Sequence, residues 1–286
     1  MQLSLTGYYG SKGKTHDKYI QLIPTNVKSY VEPYVGSGAI FLNKPRYPKT
    51  EEIINDIDEN MIRIYRVLQD NDMTKEFIER LIEVECTYEN LIGIKKLEDT
   101  GYMRIESEVE RAVYSYIICH CSFNNARKAF IKEDKSREHS SYFRRKVLDL
   151  MRINERLQGV QIYNEDAIKV IENTRDCEGN FLFLDPPYVQ SSRVAKSVYT
   201  SEMTENDHIR LLESILAKKK SKVLLCGYNS EDNLYDNYLI DNGWRKIEVT
   251  KAFKYSSVAK GKKPREIEYV WINYELAKHA EYFVRC

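Results

Sequence analysis

Short apolar runs recur along this chain, each ending in polar or glycine-rich positions and separated from the next by segments of helical periodicity. The runs are Tyr30–Val31, Ile53–Ile54, Val160–Tyr163, Phe181–Leu184 and Val223–Cys226. Runs of this kind favour strands buried on both faces of a parallel sheet. Two later segments, 247–251 and 267–273, lie close in sequence and predict an antiparallel hairpin at the sheet edge. The pattern therefore predicts an α/β fold with a largely parallel sheet.

Residues 67–157 have a different sequence pattern, with long charged segments whose apolar positions repeat with helical spacing. One stripe, at i, i+3, i+4, i+7 and i+8, comprises Val109, Ala112, Val113, Tyr116 and Ile117. Such a stripe is typical of a helix face that packs into a core. We therefore expect three parts: a first part of the sheet over residues 1–66, a helical domain over 67–157, and the remainder of the sheet over 158–286.

The strand at 181–184 runs directly into Asp185-Pro186-Pro187-Tyr188. Prolines cannot donate to a ladder, so the strand must end there, and in open α/β sheets ligands bind at the carboxyl ends of strands. Asp185 and the Pro186 carbonyl offer two acceptors for the two N–H bonds of an exocyclic amino group, which would stabilise the charge that grows as nitrogen attacks carbon. Tyr188 offers a ring for a base to stack on, worth about 1–3 kcal/mol. The alternative is a rigid surface turn.

This tetrapeptide resembles the DPPY motif of Dam-type (D12 class) DNA adenine-N6 methyltransferases, which use S-adenosylmethionine. The resemblance implies a Rossmann-like fold with a mixed seven-stranded sheet and a helical target-recognition domain. It implies methyl transfer to N6 of an adenine flipped out of double-stranded DNA, with Asp185, Pro186, Pro187 and Tyr188 as the catalytic residues. In that family an aspartate in the first position of the motif accompanies adenine targets, so the resemblance implies adenine rather than cytosine.

A strand followed by Gly36-Ser37-Gly38 predicts a glycine turn and a helix start, and Asp56 follows Gly36 by 20 residues, a spacing that suits an acid binding ribose hydroxyls. Phe41 replaces the third glycine of a dinucleotide fingerprint, which disfavours nicotinamide binding. Asp58 is the expected helix cap beside Asp56. Asp166 could also be a cap, but the resemblance implies a contact to the adenine of the cofactor. The further cofactor positions that the resemblance implies are Tyr8, Lys12, Glu32, Pro33 and Asp185.

Between Arg127 and Lys146 there are eight basic residues against three acidic ones, interleaved with aromatic and polar side chains. Lysine and arginine bind phosphates, whereas asparagine and arginine also read base edges. A loop over 189–201 could close over a flipped base. The positions we expect to contact DNA are Asn124, Asn125, Arg127, Lys128, Lys132, Arg144, Arg145 and Arg193.

The composition is that of an ordinary globular protein, with a net charge of +1, 30% charged and 42% hydrophobic residues. Six irregularly spaced cysteines do not resemble a disulfide framework. Cys119-His120-Cys121 is expected to pack within a helix, because three adjacent residues rarely supply three tetrahedral ligands; no metal is expected. No signal peptide or membrane span is predicted, and the expected location is the cytoplasm.

Two other functions remain open: methylation of adenine N6 in structured RNA, and a catalytically idle DNA-binding remnant. The intact motif at 185–188 argues against the remnant. Under the favoured function the expected partners are double-stranded DNA and, in a restriction-modification setting, a cognate restriction endonuclease. The chain is expected to be a monomer or a weak dimer.

Overall fold

The computed structural model describes residues 2–6, 12–13, 15–122, 130, 136–188, 203–230, 232–253, 265–278 and 280. Its strands are β1 (Ser29–Glu32), β2 (Glu51–Asn55), β3 (Gln161–Tyr163), β4 (Asn180–Leu184), β5 (Lys222–Tyr228), β6 (Arg245–Phe253) and β7 (Arg265–Ile272). Its helices are α1 (His16–Ile20), α2 (Glu59–Gln69), α3 (Asn71–Glu83), α4 (Tyr88–Asp99), α5 (Glu108–Cys121), α6 (Ser136–Leu157), α7 (Ala167–Asn173), α8 (Glu205–Leu216) and α9 (Leu234–Leu239), with a 3₁₀ helix over Ile240–Asn242.

The strands form one seven-stranded mixed sheet in the order β3-β2-β1-β4-β5-β7-β6. Strand β1 pairs in parallel with β2 and β4, and β4 pairs in parallel with β5. Strand β7 is antiparallel to both β5 and β6. The mixed seven-stranded sheet and the late antiparallel hairpin are therefore confirmed, and β4 lies at the centre of the sheet.

The chain forms two compact units. The first comprises Met1–Gly13, Gly36–Asn43 and Asp58–Asn164, and the second comprises Lys14–Val35, Lys44–Ile57 and Glu165–Cys286. The expected division into three parts, at residues 66/67 and 157/158, stays a prediction.

The first unit is built on helices α2 to α6. Asp58 caps α2 by accepting from the amides of Asn60 at 3.0 Å and Met61 at 3.4 Å, as predicted. The stripe on α5 faces the core: the ring of Tyr116 is 1% exposed and meets that of Phe77 on α3 edge-to-face, with centroids 5.5 Å apart. These aromatic contacts hold α3 against α5.

The second unit packs its apolar strands against helices α7, α8 and α9. The buried strand residues Val31, Leu182 and Val223 share a core with Leu211 of α8. Helix α8 begins with a capping box, in which Thr204 and Asp207 exchange hydrogen bonds. This core includes Leu182 and Leu184, so it extends to the carboxyl end of β4.

The structure corrects the helix that we expected directly after Gly38. Residues 39–43 form hydrogen-bonded turns instead of an α-helix. The Asn43 amide group donates to the carbonyls of Ala39 at 2.9 Å and Leu3 at 2.6 Å. Such side-chain bonds to the backbone compete with helix formation, and Pro45 follows shortly afterwards.

Within the described residues no helix combines the length and apolar character that a membrane crossing requires.

Candidate active site

The DPPY segment lies at the carboxyl end of the central strand. All five residues of β4 are buried, and Asp185 follows as the first half-buried position. Strands β1 and β5 flank β4 on either side. Because the prolines end the ladder, Asp185 is displayed at the edge where α/β sheets bind ligands. The predicted strand and its end point are observed.

Tyr188 is fixed by three contacts within the second unit. Its hydroxyl donates to Oδ1 of Asp185 at 3.2 Å and also makes a hydrogen bond with Oε1 of Glu268. Its ring meets that of Tyr228 edge-to-face, with centroids 4.6 Å apart. Because a phenol has one proton, the two carboxylates share it.

Burial, followed by the negative charges of Asp185 and Glu268, raises the pKa of Tyr188 well above its usual value. The phenol therefore stays neutral and remains a donor at physiological pH. The hydrogen bond from the Tyr188 hydroxyl orients the Asp185 carboxylate, so the last residue of the tetrapeptide positions the first.

Glu268 is a site residue that sequence reasoning missed. It is 5% exposed and lies on β7, where its Cα partner is Tyr228 at the end of β5. A signal was present: Glu268 shares its strand face with Val270 and Ile272, in a position where a buried strand normally carries an apolar residue. The partner of such a residue depends on strand register, which the sequence pattern does not give.

The carbonyl of Pro186 is the second acceptor predicted for an amino group. Pro186 is buried, and no donor among the described residues forms a hydrogen bond to its carbonyl oxygen. Because no described residue donates to it, this carbonyl can accept from a ligand donor beside Asp185. Pro187 is half-buried.

Asn55 ties together the carboxyl end of β2 and two neighbouring loops. Its fully buried side-chain amide donates to the carbonyls of Pro33 at 2.9 Å and Glu165 at 3.0 Å. Its oxygen accepts from the amide of Glu165 at 2.9 Å. Sequence reasoning missed this role. Asp56 follows Asn55 and Asp166 follows Glu165 in the chain. The hydrogen bonds between Asn55 and Glu165 therefore place Asp56 and Asp166 at the same edge of the sheet.

Three carboxylates lie around Tyr34. Burial, then the charges of Asp166, Asp207 and Asp56, raise the pKa of this phenol. Asp166 caps α7 by accepting from the amide of Ile168 at 2.8 Å, which is the alternative role that the sequence allowed for it. That bond uses Oδ1; Oδ2 makes no hydrogen bond to another described residue. The cofactor roles of Asp56 and Asp166 stay predictions.

Glu32 ends β1 and is 2% exposed, with its carboxylate accepting from the hydroxyl of Tyr30. Pro33 follows and is buried. In the first unit, Lys12 is 4% exposed. The cofactor roles of these three residues also stay predictions.

The glycine turn belongs to the first unit and requires both of its glycines. Gly36 has φ of 48° and Gly38 has φ of 71°. The Tyr65 hydroxyl donates to the Gly36 carbonyl at 3.0 Å. A Cβ added at Gly38 would lie 2.5 Å from that hydroxyl and 3.0 Å from Cγ of Leu42. The shape of the turn is therefore set by the positive φ angles of Gly36 and Gly38 and by the hydrogen bond from Tyr65.

The predicted DNA contacts are only partly described. Arg144 and Arg145 are exposed on α6, and Arg145 donates to Oγ of Ser141 at 2.8 Å. The remaining predicted DNA contacts lie outside the described residues: Asn124, Asn125, Arg127, Lys128, Lys132 and Arg193. Tyr8, a predicted cofactor position, also lies outside them.

A known protein family covers most of this chain. The family described as D12 class N6 adenine-specific DNA methyltransferase matches residues 8–253. The chain belongs to this family. Its mixed seven-stranded sheet agrees with the Rossmann-like fold for which D12 methyltransferases are known.

Two relatives of this D12 methyltransferase are similar over most of their length. The Type II methyltransferase M1.LlaDCHI of Lactococcus lactis subsp. cremoris is 26% identical over 270 residues, covering 90% of this chain and 91% of the relative. The Type II methyltransferase M.MjaIII of Methanocaldococcus jannaschii is 26% identical over 234 residues, covering 75% of this chain and 80% of the relative.

Proposed function

We propose that this protein transfers a methyl group from S-adenosylmethionine to N6 of an adenine flipped out of double-stranded DNA at a specific sequence. The observation that carries the proposal is the acceptor pair at the end of β4. The Asp185 carboxylate is oriented by Tyr188, and the carbonyl of Pro186 has no donor among the described residues. A flipped base is required because N6 cannot be reached for in-line attack within the stack.

The acidic edge of the second unit suits the proposed cofactor. Asp56 and Asp166 lie around Tyr34, and Asp166 has an oxygen without a hydrogen bond to the described residues. Carboxylates of this kind accept from ribose hydroxyls and from an adenine amino group. S-adenosylmethionine, when bound, supplies a methyl group on a sulfonium centre.

The residues of this chain would then act on the amino group of the target adenine. Asp185 and the Pro186 carbonyl each accept one N6–H bond, which favours the pyramidal nitrogen and stabilises its growing positive charge. The surplus proton leaves N6 along the hydrogen bond to the Asp185 carboxylate and passes to solvent. Positioning two bound reactants supplies several more kcal/mol, on the order of 7–11 in the best intramolecular cases.

Arg144 and Arg145 are proposed to contact DNA phosphates, together with the predicted positions outside the described residues. Both are exposed on α6, so their charges are available to a ligand. Both relatives are named as Type II methyltransferases. We therefore place this protein in restriction-modification, with a cognate endonuclease as its functional partner.

The experiment uses S-adenosylmethionine with a labelled methyl group, duplex DNA and structured RNA as parallel substrates, and nucleoside analysis of the products. N6-methyladenine in DNA alone is the expected result. Label in RNA alone would show that the protein methylates structured RNA instead of DNA. No label in either, with the cofactor bound and DNA retained, would overturn the proposal in favour of an idle DNA-binding remnant.

A further inference from the structure

Three metal-ligating side chains from separate elements of the first unit converge at one point. Cys86 lies between α3 and α4, Cys121 is the last residue of α5, and His139 is in the first turn of α6. One ligand atom from each lies within 4.8 Å of the others. The sequence could not reveal this group, because 35 and 18 residues separate its members along the chain.

The backbone around this cluster is fixed by capping and packing. The segment that carries Cys86 runs from the C-cap of α3 at Val84 to the N-cap of α4 at Thr87. Helices α5 and α6 are held together by the ring of His120 against those of Tyr142 and Phe143, with centroids 5.2 and 6.1 Å apart. The three side chains are therefore carried by elements that capping and ring packing hold in place.

The distances and burial fit a tetrahedral ion. Bond lengths of about 2.3 Å to sulfur and 2.0 Å to nitrogen place the ligands of a zinc site about 3.5–3.8 Å apart. A separation below 4.8 Å needs only a small inward movement of the side chains. Cys86 is 1% and Cys121 is 8% exposed, so competing water is largely excluded from the sulfurs.

His139 supplies an independent observation. Its Nδ1 atom is buried and has no hydrogen-bond partner among the described residues. Buried polar atoms are rarely left unsatisfied, and each such atom calls for a specific explanation such as an ion. A metal bound through this nitrogen would satisfy it.

We propose that Cys86, Cys121 and His139 bind one zinc ion, with a water completing the tetrahedron. Two thiolates and an imidazole form a donor set that suits zinc rather than magnesium or calcium. The ion would fasten the α3–α4 connection to α5 and α6. Cys121 and His139 also bracket, in sequence, the segment that contains Asn124 and Arg127. Of the run Cys119-His120-Cys121, only Cys121 takes part in the proposed site.

The test uses the full chain, purified under reducing conditions from zinc-supplemented medium. We expect about one zinc per chain by elemental mass spectrometry. After exchange for cobalt we expect thiolate-to-cobalt charge-transfer bands and intense tetrahedral ligand-field bands. Each of Cys86→Ser, Cys121→Ser and His139→Gln should weaken cobalt binding by more than about 100-fold, since loss of even an outer-shell partner costs 10–100-fold. Cys177→Ser, which removes a half-buried thiol from the second unit, should leave it unchanged.

Absence of zinc and of cobalt charge transfer in the reduced, folded wild type would overturn the proposal. Bands that persist in all three variants would overturn it too. A Cys86–Cys121 disulfide in oxidised protein, without metal in the reduced protein, would replace the site with a redox pair. If the variants fail to fold, X-ray absorption on the wild type decides: two sulfurs at about 2.3 Å are expected, and an all-oxygen or all-nitrogen shell contradicts the site.

Discussion

Tyr188→Phe removes one hydroxyl from the DPPY segment and keeps the ring. The deleted group bonds Oε1 of Glu268 and donates to Asp185, both within the second unit. A hydrogen bond to a charged group contributes about 1.5–3 kcal/mol when one partner is removed. Glu268 is 5% exposed, so solvent replaces this bond poorly. We expect Tyr188→Phe to lower the free energy of unfolding of this unit by about 2 kcal/mol.

A double-mutant cycle with Glu268→Gln isolates the contact. In the glutamine background the bond to residue 268 is neutral and contributes about 0.5–1.5 kcal/mol. The bond to Asp185 is lost in both backgrounds and cancels in the cycle, so the coupling energy should be about 1–1.5 kcal/mol. Urea unfolding followed by tryptophan fluorescence is the assay, because the two tryptophans of the chain, Trp244 and Trp271, both lie in the second unit. A coupling energy below about 0.3 kcal/mol would refute the contact between the hydroxyl and the buried carboxylate.

Three further predictions concern the first unit. Gly38→Ala should destabilise it by about 2–4 kcal/mol, measured by circular dichroism, because φ is 71° and the new Cβ would meet the Tyr65 hydroxyl at 2.5 Å. Burial lowers the pKa of His120 to about 3 in the folded protein, against about 6.5 in the unfolded chain. Below pH 6.5 the unfolded chain therefore binds a proton that the folded protein does not, and unfolding is favoured. The free energy of unfolding should fall by about 2 kcal/mol between pH 7 and pH 5, measured by urea unfolding at each pH. Replacing Arg144 and Arg145 with Ala should reduce the slope of log K for DNA against log salt by about one for each phosphate that is no longer neutralised, measured by anisotropy titration.

Each of these three predictions has a matched control. Gly93→Ala lies within α4 with nothing near its Cβ and should stabilise by about 0.5–1 kcal/mol; equal effects at both glycines would contradict the steric reasoning. His120→Gln should flatten the loss of stability at low pH, and an unchanged pH profile would assign that loss to another group. Arg152→Ala removes an exposed arginine farther along α6. If replacing Arg144 and Arg145 gives the same salt slope as Arg152→Ala, the DNA contacts lie elsewhere.

The local parts of this fold were predictable because their causes are local. A run of apolar residues ended by two prolines identified β4 and its acidic end, and Asp58 was recognisable as a cap from the helix that follows it. The expected helix after Gly38 was wrong, since Asn43 bonds to the backbone of Leu3, 40 residues away. A hydrogen bond between residues so far apart in sequence does not alter the local pattern of apolar residues from which the helix was predicted.

The contacts that complete the site depend on register and packing. Glu268 reaches Tyr188 across 80 residues, and Asn55 reaches Glu165 across 110. The cysteine and histidine cluster is likewise assembled from a loop and two helix ends. Local periodicity predicts which residues are buried; the choice of partner follows from how strands and helices are arranged in space.

The most direct test of the central claim is single-turnover methyl transfer by Asp185→Ala beside Asp241→Ala, which removes an exposed aspartate of the same unit. With DNA and cofactor binding and folding retained, we predict that the Asp185 variant loses at least about 100-fold in rate, as when one preorganised transition-state contact is removed. The Asp241 variant should match the wild type. An Asp185→Ala rate within about twofold of wild type, less than about 0.5 kcal/mol in the barrier, would contradict the assignment of the acceptor pair.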